Sequence, residues 1–435
     1  VATWIGHKTR YNSDSDEKDI QLPDLYSVDQ ALVQILTDFA RLPTERISID
    51  DALGRVLSEN LRAGDDLPPF ANSSMDGYAV RADDLAALTS VNAVQLQVVE
   101  DIPAGTVPTR TLEPGQAARI MTGAMLPNGA DAIVPVEQTD SSWESDGSAA
   151  LAPLVRVIKG VRTGDYVRAV GEDIQRGETV LTEGVVIGAV EIGVLAALGF
   201  SEVPVVQRPR VAILTSGDEL LRVDQALEPG KIRDANSYAL AATAQLMGAQ
   251  VTRIPPARDT QADVRRAFTD ALDWGADILV SSAGVSVGTV DVVRSVLESM
   301  GNIGFWRVNL RPGKPLAYGS IKGVPFFGLP GNPVSALVTF DVFVRPALLK
   351  MSGHVRDNVR FVDAVLQEDV QSDGRRSYIR VLLTEQDGRW LARLTGTQSS
   401  GALMSMVRAD GLLIIPEGVT RALAGETYPV RQFRA

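Results

Sequence analysis

The chain has 435 residues, 45% hydrophobic and 22% charged, an ordinary globular composition with room for several domains. A formal net charge of −12 argues against a nucleic-acid binder, which carries a basic field. With no Cys and only His7 and His354, disulfides, thiolate metal sites and a Cys nucleophile are excluded, and neither a His-rich metal site nor a Ser-His-Asp triad is expected.

Any metal would be a hard cation on carboxylates, with Mg²⁺ the natural choice. No apolar run approaches the roughly 20 residues of a membrane span, and no signal peptide opens the sequence. The expectation is a soluble, cytoplasmic protein with no membrane and no nucleic-acid partner.

Residues 1–26 include the acidic YNSDSDEKD without apolar period, and read as a disordered extension. The stretch SVDQALVQILTDFA then predicts a helix with Val28, Ala31, Leu32, Ile35, Leu36 and Phe39 on one face. Ser27 is its N-cap, and Gln30 completes a capping box. A second helix is predicted over Ser48 to Glu59. Residues 66–155 carry short β-like runs between Pro, Gly and Asn turns, and predict a mostly β domain. Residues 156–206 are turn-rich and end in the helical VIGAVEIGVLAALG; with 27–65 they are assigned to a helical, linking domain. From 207 to 353 strand, loop and helix alternate, which predicts a parallel, doubly wound α/β domain. The remainder, 354–435, alternates short strands with turns and predicts a small β-barrel-like domain. The fold class is therefore α/β plus β.

In an open α/β sheet, ligands bind at the carboxyl ends of the strands. Three loops there suit anions. TSGDE offers Thr215, Ser216, Gly217, Asp218 and Glu219. SSAGVSVG offers Ser282, Gly284 and Ser286, with glycines that let backbone N–H groups approach a phosphate. GLPGNPVS turns from a strand into a helix. There Asn332 suits the N-cap and Pro333 the first turn, so that the N–H groups of Val334, Ser335 and Ala336 are expected to point outward, near Gly331. An ordinary strand-to-helix turn is the alternative for that stretch taken alone. WRVNLRPGKPLAY adds Arg307, Arg311 and Lys314, one of only seven lysines. Acids gather on the same edge at Asp218, Glu219, Asp234, Asp259 and Asp291, and suggest a bridging metal. Neither GxxxxGK[ST] nor GxGxxG occurs, which argues against an ordinary NTPase and a Rossmann dehydrogenase.

Taken in order, SSMDGYAV, ARIMTGA, GEDI, TSGDEL, SSAGVSVG, RPGKP and GLPGNPVSA resemble the molybdopterin molybdenumtransferase family, which includes the gephyrin E-domain. The likeness runs from about Ser27 to the C-terminus. It implies an elongated homodimer with four domains per subunit, the third similar to the molybdopterin adenylyltransferase fold. The implied activity is insertion of molybdate into adenylylated molybdopterin with release of AMP. Molybdopterin adenylyltransferase activity and a gephyrin-like non-catalytic scaffold are the alternatives. By motif, the resemblance implicates Asp76, Thr122, Asp173, Glu219, Asp259, Asp291, Lys314 and Ser400. Glu219 and Asp291 are the expected Mg²⁺ ligands, with Asp259 nearby. Either Asp76 or Asp173 is expected to orient water or a molybdate oxygen. The early β domain is expected to complete the partner subunit's site. The chain departs from the family's pattern in having Arg at 307 and 311, where Lys is usual, and Ala283 in place of the first glycine of a Gly-Gly pair.

Overall fold

The computed structural model describes residues 25–89, 92–141, 151–282, 290–355, 357 and 359–433. The α/β domain is built on a seven-stranded sheet. Its order is Leu25–Tyr26, Gly301–Val308, Pro315–Ile321, Val324–Leu329, Ile278–Ser282, Arg210–Thr215 and Gln250–Arg253. The last four of these run parallel, as the alternating pattern predicts. Pro315–Ile321 and Gly301–Val308 are antiparallel additions, so the sheet is mixed rather than parallel throughout. Lys322 and Gly323 explain the reversal. Their φ values of 49° and 84° suit a two-residue hairpin turn, which returns the chain beside itself without a crossover helix.

The sheet is buried on both faces. Phe327 joins one hydrophobic cluster and its neighbour Phe326 the other, because adjacent strand residues point to opposite faces. Helix Val28–Thr37 has the expected Ser27–Gln30 capping box. It does not belong to the linking domain, however. Val28, Ala31 and Ile35 pack in one cluster with Val211, Ile278 and Phe327, and Leu25–Tyr26 extends the sheet parallel to Gly301–Val308. The apolar stripe was legible; which sheet needed covering was not. Residues 25–26 are thus structured, and 1–24 lie outside the described residues.

The linking domain joins two distant segments. Thr44–Ser48 pairs antiparallel with Glu202–Val206, and Leu61–Arg62 with Thr179–Leu181. Ala52, Leu57, Leu61, Ile187, Leu195 and Val203 form its core. The helix expected over 48–59 is reduced to the 3₁₀ turn Ile49–Asp51. Gly54 then takes φ 74°, and the N–H groups of Gly54, Leu57 and Ser58 donate to Ile187, Val185 and Pro204 at 2.8, 2.9 and 3.1 Å. Long-range backbone pairing has overridden local helix spacing.

The early β domain is a five-stranded sheet ordered Ala132–Pro135, Gly77–Val80, Gln116–Ile120, Val94–Ile102 and Leu154–Val157. The C-terminal sheet closes on itself, since Arg376–Gln386 pairs with both Arg389–Leu394 and Gly411–Ile415. Leu310–Arg311 attaches to this barrel through Arg376 and Ser377. Among the described residues, no helix is long and apolar enough to cross a membrane.

Leu57 is fully buried between the two segments of the linking domain. Leu57→Ala should therefore cost about 2–5 kcal/mol, seen in urea denaturation as a lower midpoint for this domain's transition.

Candidate functional site

A cavity of about 510 Å³ opens at the carboxyl ends of Arg210–Thr215, Ile278–Ser282 and Val324–Leu329. Thr215, Ser216, Glu219, Ser282, Gly331, Asn332 and Ser335 all line it, so two of the expected loops converge with the strand end that precedes the third. Two side chains lock them together. Asp234, 5% exposed, accepts from the Thr215 hydroxyl at 2.9 Å and from the Ser237 N–H at 3.0 Å, which holds the start of helix Asn236–Leu246 against the strand end. Asn236 donates through Nδ2 to Ser282 Oγ at 2.8 Å and to the Gly331 carbonyl at 2.7 Å. Sequence reasoning counted Asp234 only among the acids and missed Asn236. The DAN segment before a helix was the available signal.

Acids occupy one corner. Gly217 (φ 153°) has no Cβ where one would sit 2.5 Å from Glu219 Oε2, so the glycine gives the Glu219 carboxylate its room. Gly217 donates to the Ala257 carbonyl at 3.1 Å, and two residues further on the Asp259 N–H donates to Asp218 Oδ1 at 3.3 Å. Lys231 Nζ covers the Asp218 carbonyl. Burial pushes the Asp259 carboxyl above its usual range, and the charges of Asp218 and Glu219 push the same way. Among the described residues, no group of three acidic or histidine side chains is arranged to hold a metal. The side chain of Asp291 and the whole of Gly284 and Ser286 lie outside the described residues.

The cations are distributed in a way the sequence did not foretell: Arg233 lines the cavity beside Asp234. Gly313 and Pro315 line the cavity, with half-buried Lys314 between them. Arg311 instead faces the barrel domain and donates to the Gln371 carbonyl at 3.2 Å. Arg307 is exposed on the sheet between Leu25 and Pro315 and is not itself among the residues that line the cavity. Arg380, missed in the sequence, is 1% exposed and donates to Ser405 Oγ at 3.1 Å and the Ser399 carbonyl at 3.0 Å. Burial and, next, the charge of Arg311 push its guanidinium down to about 10.

Helix Pro333–Thr339 begins as expected with Asn332 and Pro333, but Asn332 makes no side-chain cap. The expected trio of outward N–H groups is corrected to one. Val334 donates to the Ser400 carbonyl at 3.0 Å, which seats the TQSSG loop on the helix start, and Ala336 donates back to Asn332 at 2.9 Å. The Ser335 N–H and hydroxyl remain at the cavity wall.

In the early β domain, Asp76 Oδ1 accepts from the Thr122 N–H at 2.7 Å and its hydroxyl at 2.8 Å, uniting two motifs 46 residues apart. Gly77 is required beside them, since a Cβ would lie 2.0 Å from the Val134 carbonyl oxygen. Asp173 is exposed on a separate turn, its N–H donating to Leu67 at 3.0 Å.

Three family models match in the order the fold would require. They are the MoeA N-terminal region (domain I and II) at 26–199, the probable molybdopterin binding domain at 212–350, and the MoeA C-terminal region (domain IV) at 363–433. Molybdopterin molybdenumtransferase 2 of Mycobacterium tuberculosis is 40% identical over 392 residues, covering 88% of this chain and 94% of that relative. The chain belongs to the molybdopterin molybdenumtransferase family. The molybdopterin molybdenumtransferase of Bacillus subtilis is 34% identical over 409 residues, 94% of each chain. A crystal structure of the molybdopterin biosynthesis MoeA protein from Pyrococcus horikoshii is 31% identical and superposes with a TM-score of 0.79, covering 95% of this chain and all of that one. In this family member the cavity lies within the probable molybdopterin binding domain, Asp76, Thr122 and Asp173 within the N-terminal region, and Arg380 and Ser400 within the C-terminal region.

An acid whose folded pKa is raised is most stabilising when protonated, and that contribution is lost as pH rises through the folded pKa. Without divalent cations, Asp259→Asn should therefore raise the melting temperature at pH 7. The gain should shrink as pH falls into the acid range where Asp259 protonates, which thermal melts from pH 4 to 7 would reveal.

Proposed function

We propose that this protein is a molybdopterin molybdenumtransferase that inserts molybdate into adenylylated molybdopterin and releases AMP, acting in the cytoplasm as a homodimer. The observation that carries this reading is a cavity lined by Thr215, Ser216, Glu219, Arg233 and Ser335, with Gly313 and Pro315 flanking Lys314, inside a segment matched as a probable molybdopterin binding domain. Thr215, Ser216, Ser282 and Asn332 would orient the elongated ligand by hydrogen bonding. The Ser335 N–H and hydroxyl, with Lys314, would hold an oxyanion, molybdate or phosphate. Arg311 and Arg380 would add positive charge behind the TQSSG loop. An oxyanion bound this way needs no change of protonation, so these groups act by position and fixed charge.

The acid corner suits a hard cation. Asp218, Glu219 and Asp259 stand close enough for the first two to push up the third, a repulsion that a divalent cation relieves. Glu219 would hold Mg²⁺ together with Asp291, with Asp259 beside them. Bound there, Mg²⁺ would offset charge on the phosphoanhydride as it breaks. Asp76, locked by Thr122, and the exposed Asp173 would face the partner subunit's cavity, one of them orienting water or a molybdate oxygen.

AMP release from adenylylated molybdopterin with molybdate and Mg²⁺ tests the reading. Chelator should abolish release, and Lys314→Ala should slow it by roughly a hundredfold or more. ATP consumption with free molybdopterin would indicate the adenylyltransferase reaction instead, and inactivity in both assays a scaffold.

The shared site has its own test. Inactive Asp76→Ala and Asp291→Ala proteins should regain activity when mixed and allowed to exchange subunits. With about half the dimers mixed, and one intact site of two in each, recovery should reach roughly a quarter of wild type. No recovery, with exchange verified by a mass tag, would mean that each site is built from one chain.

A further inference from the structure

Tyr166 is the third residue of a turn closed by the Val167 N–H, which donates to the Gly164 carbonyl at 3.2 Å. Its φ is 57°, in the left-handed region where a Cβ crowds the backbone and Gly or Asn is the usual occupant. Among the described residues, two other side-chain-bearing residues share this sign, Lys322 and Asp387. Each precedes a glycine with positive φ, in a hairpin turn whose geometry demands it. Tyr166 has no such excuse, for Val167 directly enters a strand paired with Ser73. The strained backbone is nevertheless firmly held. The Ser74 N–H and hydroxyl both donate to the Tyr166 carbonyl, at 2.9 and 3.0 Å.

Burial does not compensate for the strain. The side chain is 40% exposed, and among the described residues its hydroxyl has no hydrogen-bond partner. A bulky residue held in a costly backbone conformation and left well exposed is a candidate functional position. The surroundings agree. Ser74 lies two residues before Asp76, and the Ser73 carbonyl accepts at 2.8 Å from the N–H of Gly123, the residue after Thr122. Tyr166, Ser74, Asp76 and Thr122 thus share one hydrogen-bonded edge of the early β domain.

We propose that Tyr166 is a substrate-contacting residue whose phenol ring offers a stacking face to a planar nitrogen heterocycle of the ligand. The proposal rests on the reading of this edge as the second wall of the active site. Adenylylated molybdopterin carries two such heterocycles, the pterin and the adenine, and both present the same π-face chemistry.

The test pairs Tyr166→Asn with Tyr166→Phe. Asn suits the left-handed turn, so Tyr166→Asn should melt higher than wild type. Its KM for adenylylated molybdopterin should nonetheless rise about tenfold or more, the scale of one aromatic stack, with kcat changed far less. Tyr166→Phe should recover most of the lost affinity. A residue serving only the turn would show the higher melting temperature with no change in KM, and that result overturns the proposal. Should Tyr166→Asn fail to fold, Tyr166→Leu takes its place, and a KM equal to that of Tyr166→Phe overturns the proposal equally. Equilibrium binding of AMP alone separates the two heterocycles. A parallel loss of AMP affinity assigns the stack to adenine, and unchanged AMP affinity with weaker molybdopterin binding assigns it to the pterin. Full activity in Asp76→Ala would remove the second wall and this proposal with it. An inactive Asp76→Ala beside a Tyr166→Asn protein of wild-type KM would remove this proposal alone.

Discussion

The cavity depends on two adjacent polar side chains at one helix start. Asp234 binds strand end Thr215 and helix residue Ser237, and Asn236 binds strand end Ser282 and loop residue Gly331. Strand ends in an open sheet splay, and nothing in the apolar core fixes the loops above it. These four hydrogen bonds do so, and the two made by Asp234 are buried, where a lost partner leaves a desolvated group behind. Both Nδ2 protons of Asn236 are used, so the amide is locked and its oxygen is left as an acceptor. The cavity wall is therefore held by the protein's own hydrogen bonds.

Around that frame stand charges of both signs: Glu219, Asp234 and Arg233 line the cavity, and Arg311 and Arg380 lie toward the barrel. Arg380 is nearly inaccessible, it donates to the neutral oxygens of Ser405 and Ser399, and a second guanidinium stands close enough to disfavour its charge. A buried cation with a like charge nearby is costly unless an anion compensates it.

Much of this was legible from residues alone. The strand-loop-helix rhythm, the capping box at Ser27 and the ordered motifs all encode local periodicities, which a sequence displays openly. What stayed hidden was long-range. The helix over 28–37 was evident, yet its partner sheet was not, because the stripe specifies a face and not a neighbour. The 48–59 segment has helical spacing, but pairing with 185–187 and 204 claims its N–H groups. The Val334 N–H looked free for an anion, and a carbonyl 66 residues downstream takes it. Arg380 reads as one arginine among 35, since only the closed barrel gives it a buried position beside Arg311. The Asp76–Thr122 pair was suggested by resemblance and given its physical reason by two hydrogen bonds.

The segment from Val308 to Pro315 has a mechanical consequence. Val308 belongs to the seven-stranded sheet, Leu310 and Arg311 to the barrel, and Pro315 to the sheet again. One short stretch of chain is therefore bolted at both ends to one body and in the middle to another. Lys314 lies between the barrel's bolt and the returning strand. Any tilt of the barrel must be absorbed by the residues around Gly313, whose φ of 121° and contact with Thr339 leave little slack for a side chain. A rotation of the barrel against the sheet would therefore strain this one segment, whose ends and middle are held by different bodies.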